Sequence, residues 1–198
     1  MTKDMLRIRR RLEMEVEDIL CPQLFSYYHE NRGGHTEADH IGMSLYDLRQ
    51  RARQAAKERS EGNRRRLLHE KDGSPAEASV FSRFFGNREE VVKLIHQCLV
   101  DNFELLYKAI TISIGEVELE LLCDSPIGDG ILEEGDWQVL HPCSKMHVVV
   151  GMSNNDRLFI IKTAYPTFNL DETDEAFEHL YFYREKNRKR WEQKKTAR

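Results

Sequence analysis

Apolar side chains at Met5, Ile8, Leu12, Val16, Ile19 and Leu20 recur at three- and four-residue intervals, and that spacing predicts a helix over 3–20. Pro22 ends or kinks it, because proline has no amide hydrogen to donate. Leu24, Phe25 and Tyr28 supply another turn or two before Gly33-Gly34 breaks the chain. Thr36-Glu37-Ala38-Asp39 reads as a capping box that opens a short helix carrying His40 and stopping at Gly42. Ser44-Leu45-Tyr46-Asp47 is a second box, at the head of a helix running to about residue 58 and bearing Arg49, Arg51 and Arg53. Residues 59–78 are polar, contain Gly62, Gly73 and Pro75, and read as a loop. Asn87 and Glu90 cap the clearest core helix, whose stripe is Val91, Leu94, Ile95, Cys98, Leu99, Phe103, Leu106 and Tyr107.

Beyond that stripe the period changes. "GEVELELL" alternates glutamate with valine or leucine, as a half-buried strand does. "MHVVVG" and "RLFIIKTAY" are apolar, β-branched runs joined by the turn formers of "MSNND", and they predict a β-hairpin. Residues 172–193 are charged, with Phe177, Leu180, Tyr181 and Trp191 interspersed, and read as a final helix. Helices followed by a small antiparallel sheet make an α+β protein.

Composition narrows the class. The 198 residues, 40% hydrophobic and 32% charged, suit one domain with terminal additions. No apolar run approaches the ~20 residues that would span a bilayer. The N-terminus lacks the apolar core of a signal peptide, so a cytoplasmic site of action is expected. Cys21, Cys98, Cys123 and Cys143 form no CxxC pair, so neither a zinc knuckle nor a disulfide framework is indicated, and free buried thiols are expected. The net charge is −4, yet "RQRARQAAKERSEGNRRRLLHEK" and "REKNRKRWEQKKTAR" are basic while residues 115–136 are acidic. Basic stretches are most often solvated helix faces. Two in a net-acidic chain also suit a polyanion or an acidic partner.

"HENRGGHTEADHIG" gathers His29, His35 and His40. A single histidine is ordinarily a surface or hydrogen-bonded group. His35 and His40 would stand about 140° apart on one helix, a poor arrangement for a shared metal, and no HExxH is present. No G-x-S-x-G elbow, Walker loop or GxGxxG occurs either. What remains is acid/base chemistry on an anion, with histidine as the proton carrier and arginine as the phosphate partner. On one straight helix His40 and Arg51 would lie ~16 Å apart, but a bend at Gly42 could fold them together.

Three blocks together, "HENRGGHTEADHIGMSLYDLRQR", "ASVFSRFFGNREEVVKLIHQCL" and "VVVGMSNNDRLFIIKTAYPTF", resemble the bacterial RNase A-like toxin domain. That domain lies at the C-termini of contact-dependent growth inhibition proteins and other polymorphic toxins. The shared features are Gly33-Gly34-His35-Thr36, His40-Ile41-Gly42, Arg51 and Thr163-Ala164-Tyr165-Pro166, and the likeness covers roughly 24–168. It implies an RNase A-like fold without disulfides. The expected organisation is an N-terminal helix over 1–23, a catalytic domain over 24–170 with an insertion over 52–77, and a basic C-terminal helix over 171–198. Asp39 departs from the pattern, since relatives usually have a basic residue there.

The resemblance further implies a metal-independent endoribonuclease with no cofactor. Its catalytic positions would be His40, Arg51, Thr163 and Tyr165, with His35 close by. RNA supplies its own nucleophile, the 2′-OH, and cleavage leaves a 2′,3′-cyclic phosphate. His40 or His35 would be base or acid, Arg51 would hold the pentavalent phosphate, and Thr163 and Tyr165, two apart on a strand, would present donors on one face. A cognate immunity or antitoxin protein is the implied partner. The start at Met1 leads to the expectation of a stand-alone or trimmed toxin. The alternative is a non-catalytic RNA- or protein-binding module on the same fold.

Overall fold

The computed structural model describes residues 3–29, 34, 36–60, 81–134, 137–153 and 156–168. His35, most of the loop expected over 59–78 and the helix expected over 171–198 lie outside them. Helix α1 (Lys3–Glu17) runs into a 3-10 turn (Asp18–Leu20), and α2 (Pro22–Tyr28) starts with Pro22 in its first turn, where a missing amide hydrogen costs nothing. α3 (Thr36–His40) and α4 (Leu45–Ser60) follow. The Ser44 hydroxyl accepts from the Asp47 amide at 3.1 Å and so caps α4.

The predicted central helix is broken in two, α5 (Arg88–Asp101) and α6 (Phe103–Thr111). Asn102 makes the break. Its Nδ2 donates to the Cys98 and Glu120 carbonyls, each at 2.9 Å, which ties the corner to a neighbouring strand. The capping box at the head of α5 is complete, with Asn87 Oδ1 accepting from Glu90 N–H and Glu90 Oε2 accepting from Asn87 N–H.

The fold is α+β, with two antiparallel sheets where a single small one was expected. One has the order β2 (Glu116–Leu122), β5 (Lys145–Met152), β6 (Phe159–Thr167) and contains the predicted strand and hairpin. The other has the order β1 (Phe81–Phe84), β3 (Gly128–Glu134), β4 (Trp137–Cys143). These last strands carry no clean alternation. β1 is short, β3 holds two glycines and β4 a proline. Gly128 is required by crowding, since a Cβ there would sit 2.3 Å from the Arg83 carbonyl oxygen and 2.7 Å from Pro166 Cγ.

The main core lies between the helices and the inner face of the β2-β5-β6 sheet. Leu12, Val16 and Ile19 from the N-terminal segment meet Val91, Ile95 and Leu99 of α5, with Leu119, Met146, Val148, Val150, Phe159 and Ile161 beneath them. Each such side chain, fully buried, stabilises the fold by about 1.5–3 kcal/mol. A smaller cluster of Leu48, Ala52 and Ile131 seats α4 on the second sheet. Buried Glu15 accepts from the Leu158 amide at 2.7 Å, which pins α1 to the foot of β6. All four thiols are free. Cys98 and Cys143 are buried as expected, whereas Cys21 and Cys123 are half-buried. Burial pushes the Cys98 thiol up to about 12 and raises that of Cys143 as well, so both act as small apolar groups. Among the described residues no helix is long and apolar enough to cross a membrane.

β6 is the outer strand of its sheet, and the segment before α4 covers its edge. The Ile161 amide donates to His29 Nδ1 at 3.0 Å, and the Ala164 amide donates to Thr36 Oγ1 at 2.9 Å. Gly34 lies so close that a Cβ would fall 2.8 Å from the Ile161 carbonyl oxygen. His29 is therefore a buried structural residue, stacked on Phe159 at 5.8 Å between ring centroids. Thr36, read from sequence as a helix cap, spends its hydroxyl on the strand edge. Thr36→Val keeps the shape and removes the acceptor, leaving a buried amide unsatisfied. It is expected to cost about 1–3 kcal/mol in urea unfolding, and a loss below about 0.5 kcal/mol would show that the edge bond contributes little.

Candidate active site

The outer face of the β2-β5-β6 sheet is polar because the strands alternate. β2 contributes Glu116, Glu118 and Glu120, β5 contributes Lys145 and His147, and β6 contributes Thr163 and Tyr165. Register sets the neighbours: His147 lies directly across from Tyr165 on one side and from Glu120 on the other, and Val149 lies between Glu118 and Thr163. A bulge between Val149 and Val150 takes up Lys162, and beyond it Thr163 and Tyr165, two apart on the strand, share a face.

α3 places His40 beside this face. Its ring lies 5.7 Å from that of Tyr165, tilted by 37°. His40 Nδ1 stands 2.9 Å from the Ser82 carbonyl oxygen of β1. A carbonyl only accepts, so Nδ1 carries the hydrogen and Nε2 is the basic nitrogen of the neutral ring. β1 also holds the next turn. Arg83 pairs with buried Asp129 at 2.8 Å and donates from Nη1 to the Met43 carbonyl at 3.0 Å. The Arg83 guanidinium is raised above its ordinary value, chiefly by the hydrogen bond to Asp129.

Gly42, at φ +70°, makes the expected bend, and α4 returns beside α3. Arg51 Nη1 accordingly donates to Asp39 Oδ1 at 3.0 Å, one residue from His40. The Asp39 carboxylate thus ties Arg51 to the His40 turn.

Tyr165 donates its hydroxyl to Glu118 Oε1 at 3.2 Å. Burial, followed by the charge and hydrogen bond of Glu118, pushes the phenol up to about 12, so it stays a donor throughout the neutral range. His147 stacks on Tyr165 at 5.6 Å and is bonded to Glu118 through Nδ1 and to Glu120 at 3.1 Å through Nε2. Glu120 is held below the ordinary carboxylate value, chiefly by the hydrogen bond from Lys145 and then by the charge of His147. Thr163 Oγ1 is buried and has no hydrogen-bond partner among the described residues. Among those residues no group of three or more histidine, cysteine, aspartate or glutamate side chains is arranged to hold a metal ion.

Of the residues singled out in sequence, His40 and Tyr165 are in ring contact, Thr163 shares the Tyr165 face, and Arg51 is tied to the turn that carries His40. Sequence reading missed His147, Glu118 and Glu120. The alternation of "GEVELELL" marks the glutamates as one face, and "MHVVVG" marks His147 as the polar member of its strand. Only the register shows that they meet Tyr165.

The fold has a counterpart. A chain of the crystal structure of the CdiA-CT/CdiI complex from Y. kristensenii superposes with a TM-score of 0.50 and 16% identity, covering 68% of this chain and 99% of that one. No protein-family model and no curated protein sequence matches. At that identity the likeness is one of fold.

Tyr165 offers a direct check on the electrostatics of the face. By NMR of ¹³C-labelled tyrosine, its ring carbon is expected to stay in the protonated position at pH 10, where an ordinary tyrosine is half ionised. Half-ionisation of Tyr165 at that pH would contradict the burial and the Glu118 contact described.

Proposed function

We propose that the chain is a toxin endoribonuclease that cleaves RNA by acid/base transphosphorylation, without a metal ion, to a 2′,3′-cyclic phosphate. The observation that carries this reading is the setting of His40. Its Nδ1 faces the Ser82 carbonyl, its ring lies against the Tyr165 donor, and its helical turn is bonded to Arg51 through Asp39. Likeness of fold to a chain of a CdiA-CT/CdiI complex supports a contact-dependent inhibition toxin, with a cognate immunity protein as partner.

In this mechanism His40 Nε2 takes the proton of the 2′-OH, the nucleophile that RNA carries itself. Arg51 swings from Asp39 onto the phosphate and gives the paired planar contact that its guanidinium allows. Both side chains are partly exposed, so the exchange of one anion for another costs little desolvation. Tyr165 and Thr163 add neutral donors to the charge that builds on the pentavalent phosphorus. The Thr163 hydroxyl, buried and without a hydrogen-bond partner among the described residues, has a hydrogen to offer once a phosphate oxygen can reach it. The departing 5′-oxygen needs a proton donor, and His35 is the second histidine that the sequence offers for that role.

Purified protein is expected to cut RNA in the presence of EDTA and to leave DNA of the same sequence intact, with the cyclic phosphate detected by mass spectrometry. Cleavage that vanishes with chelation and returns with added Mg²⁺ would overturn the mechanism. His40→Ala should slow single-turnover cleavage by about 10²-fold or more, and a folded variant that cuts at the wild-type rate would remove His40 from the chemistry.

Arg51 separates an enzyme from a binding module. Arg51→Lys and Arg51→Ala should each lower the cleavage rate by ~10²–10³ while reducing RNA affinity far less, since lysine cannot reproduce the two-pronged contact. Affinity and rate measured on the same variants decide it. Equal losses in both would make Arg51 a docking residue.

A further inference from the structure

Glu118 is a carboxylate placed where an RNA-cleaving site would be harmed by one. It would repel a phosphodiester, and it already holds the proton that Tyr165 is to offer. A carboxylate is also the better acceptor, being far more basic than a phosphodiester oxygen, so a bare Glu118 would keep the Tyr165 hydroxyl. His147 answers both difficulties. It approaches the same oxygen, Oε1, that accepts from Tyr165, and its ring is stacked on the Tyr165 ring with an interplanar angle of 29°. A carboxylate oxygen stands at each of its ring nitrogens, so a hydrogen on either nitrogen is directed at a carboxylate.

We propose that Glu118 and His147 form a positioning pair that sets the Tyr165 hydroxyl and lets it pass from Glu118 to the substrate phosphate. This rests on the ribonuclease reading above. Glu118 fixes the ring and hydroxyl in the free protein. His147 keeps Glu118 hydrogen-bonded once Tyr165 turns to the phosphate, so no unpaired carboxylate is left facing the substrate. Lys145, on the Glu120 carboxylate at 2.7 Å, leaves His147 bound by two carboxylates without excess negative charge beside it. Neither residue touches the reacting atoms. Both act through Tyr165.

The pair predicts coupling. Single-turnover cleavage of an RNA oligonucleotide is measured for wild type, Glu118→Gln, His147→Gln and the double variant, each with and without Tyr165→Phe. Circular dichroism melts confirm that each is folded. His147→Gln should slow cleavage roughly tenfold, the size of one lost hydrogen bond to a charged group. The double variant should recover part of that loss, because the unopposed carboxylate is gone. In the Tyr165→Phe background His147→Gln should have no further effect. In a readout that needs no cleavage, Glu118→Gln should bring the Tyr165 titration down from about 12 toward the ordinary value of about 10. Losses that multiply, that persist without the Tyr165 hydroxyl, or that are absent in His147→Gln would overturn the proposal while leaving the ribonuclease reading intact. An unmoved Tyr165 titration would overturn it as well. If wild-type protein cuts no RNA, the ribonuclease reading falls and takes the handover to phosphate with it. The Tyr165 titration then reports only whether Glu118 holds the hydroxyl.

Discussion

A strand at the edge of a sheet presents amides that must find partners, and in this protein that requirement organises the site. The edge of β6 offers the Ile161 and Ala164 amides, and the segment between α2 and α4 answers with His29 and Thr36. Gly34 brings the segment close enough for both bonds to form. Thr36 is also the first residue of α3, so satisfying the strand sets the direction of that helix. His40, at its far end, is then delivered to Tyr165, the residue after Ala164 and on the other face of the strand. A stretch that looked like a cluster of chemical histidines is largely a cover for a strand edge, with one described histidine buried for structure and another brought to the open face.

The second sheet completes the arrangement from the other side. β1 receives the His40 ring at the Ser82 carbonyl and the following turn through Arg83, whose charge is satisfied by Asp129 directly across the ladder. The left-handed backbone at Gly42 lets α4 return, and the small cluster around Leu48, Ala52 and Ile131 holds it there. The candidate site therefore sits where two sheets and two helices meet, with His40 from α3, Arg51 from α4, and Thr163 and Tyr165 from β6. Such a site is held by the rigidity of the elements rather than by a local motif.

Charge on the open face is balanced in cross-strand pairs. Glu116 meets Lys162, Glu118 meets His147, and Glu120 meets both Lys145 and His147. Asp39 and Arg51 repeat the pattern beside His40. Exposed pairs of this kind add little to stability. Their consequence is local: they set which donors are committed in the free protein and which anion a substrate phosphate must displace.

What could be read from the chain was whatever depends on local period and local chemistry. The stripe of α1, the helix cap at Ser44 and the capping box at Asn87, the Glu-Val-Glu-Leu alternation of β2 and the β5-β6 hairpin are each written in a few adjacent residues, and the α+β class follows from their order. The break at Asn102 was hidden because the apolar stripe continues through it, and the cause is a hydrogen bond to a strand distant in sequence. β1, β3 and β4 were hidden because burial, close approach and pairing, not alternation, made them strands. The residues singled out near His40 came from a family likeness. Their neighbours His147 and Glu118 came only from the register of three strands, since a shift by one residue would have turned those side chains into the core. Sequence determined the elements and the polar character of each face. Tertiary structure decided which polar residues face each other, because pairing partners far apart in the chain are chosen by the fit of the whole core.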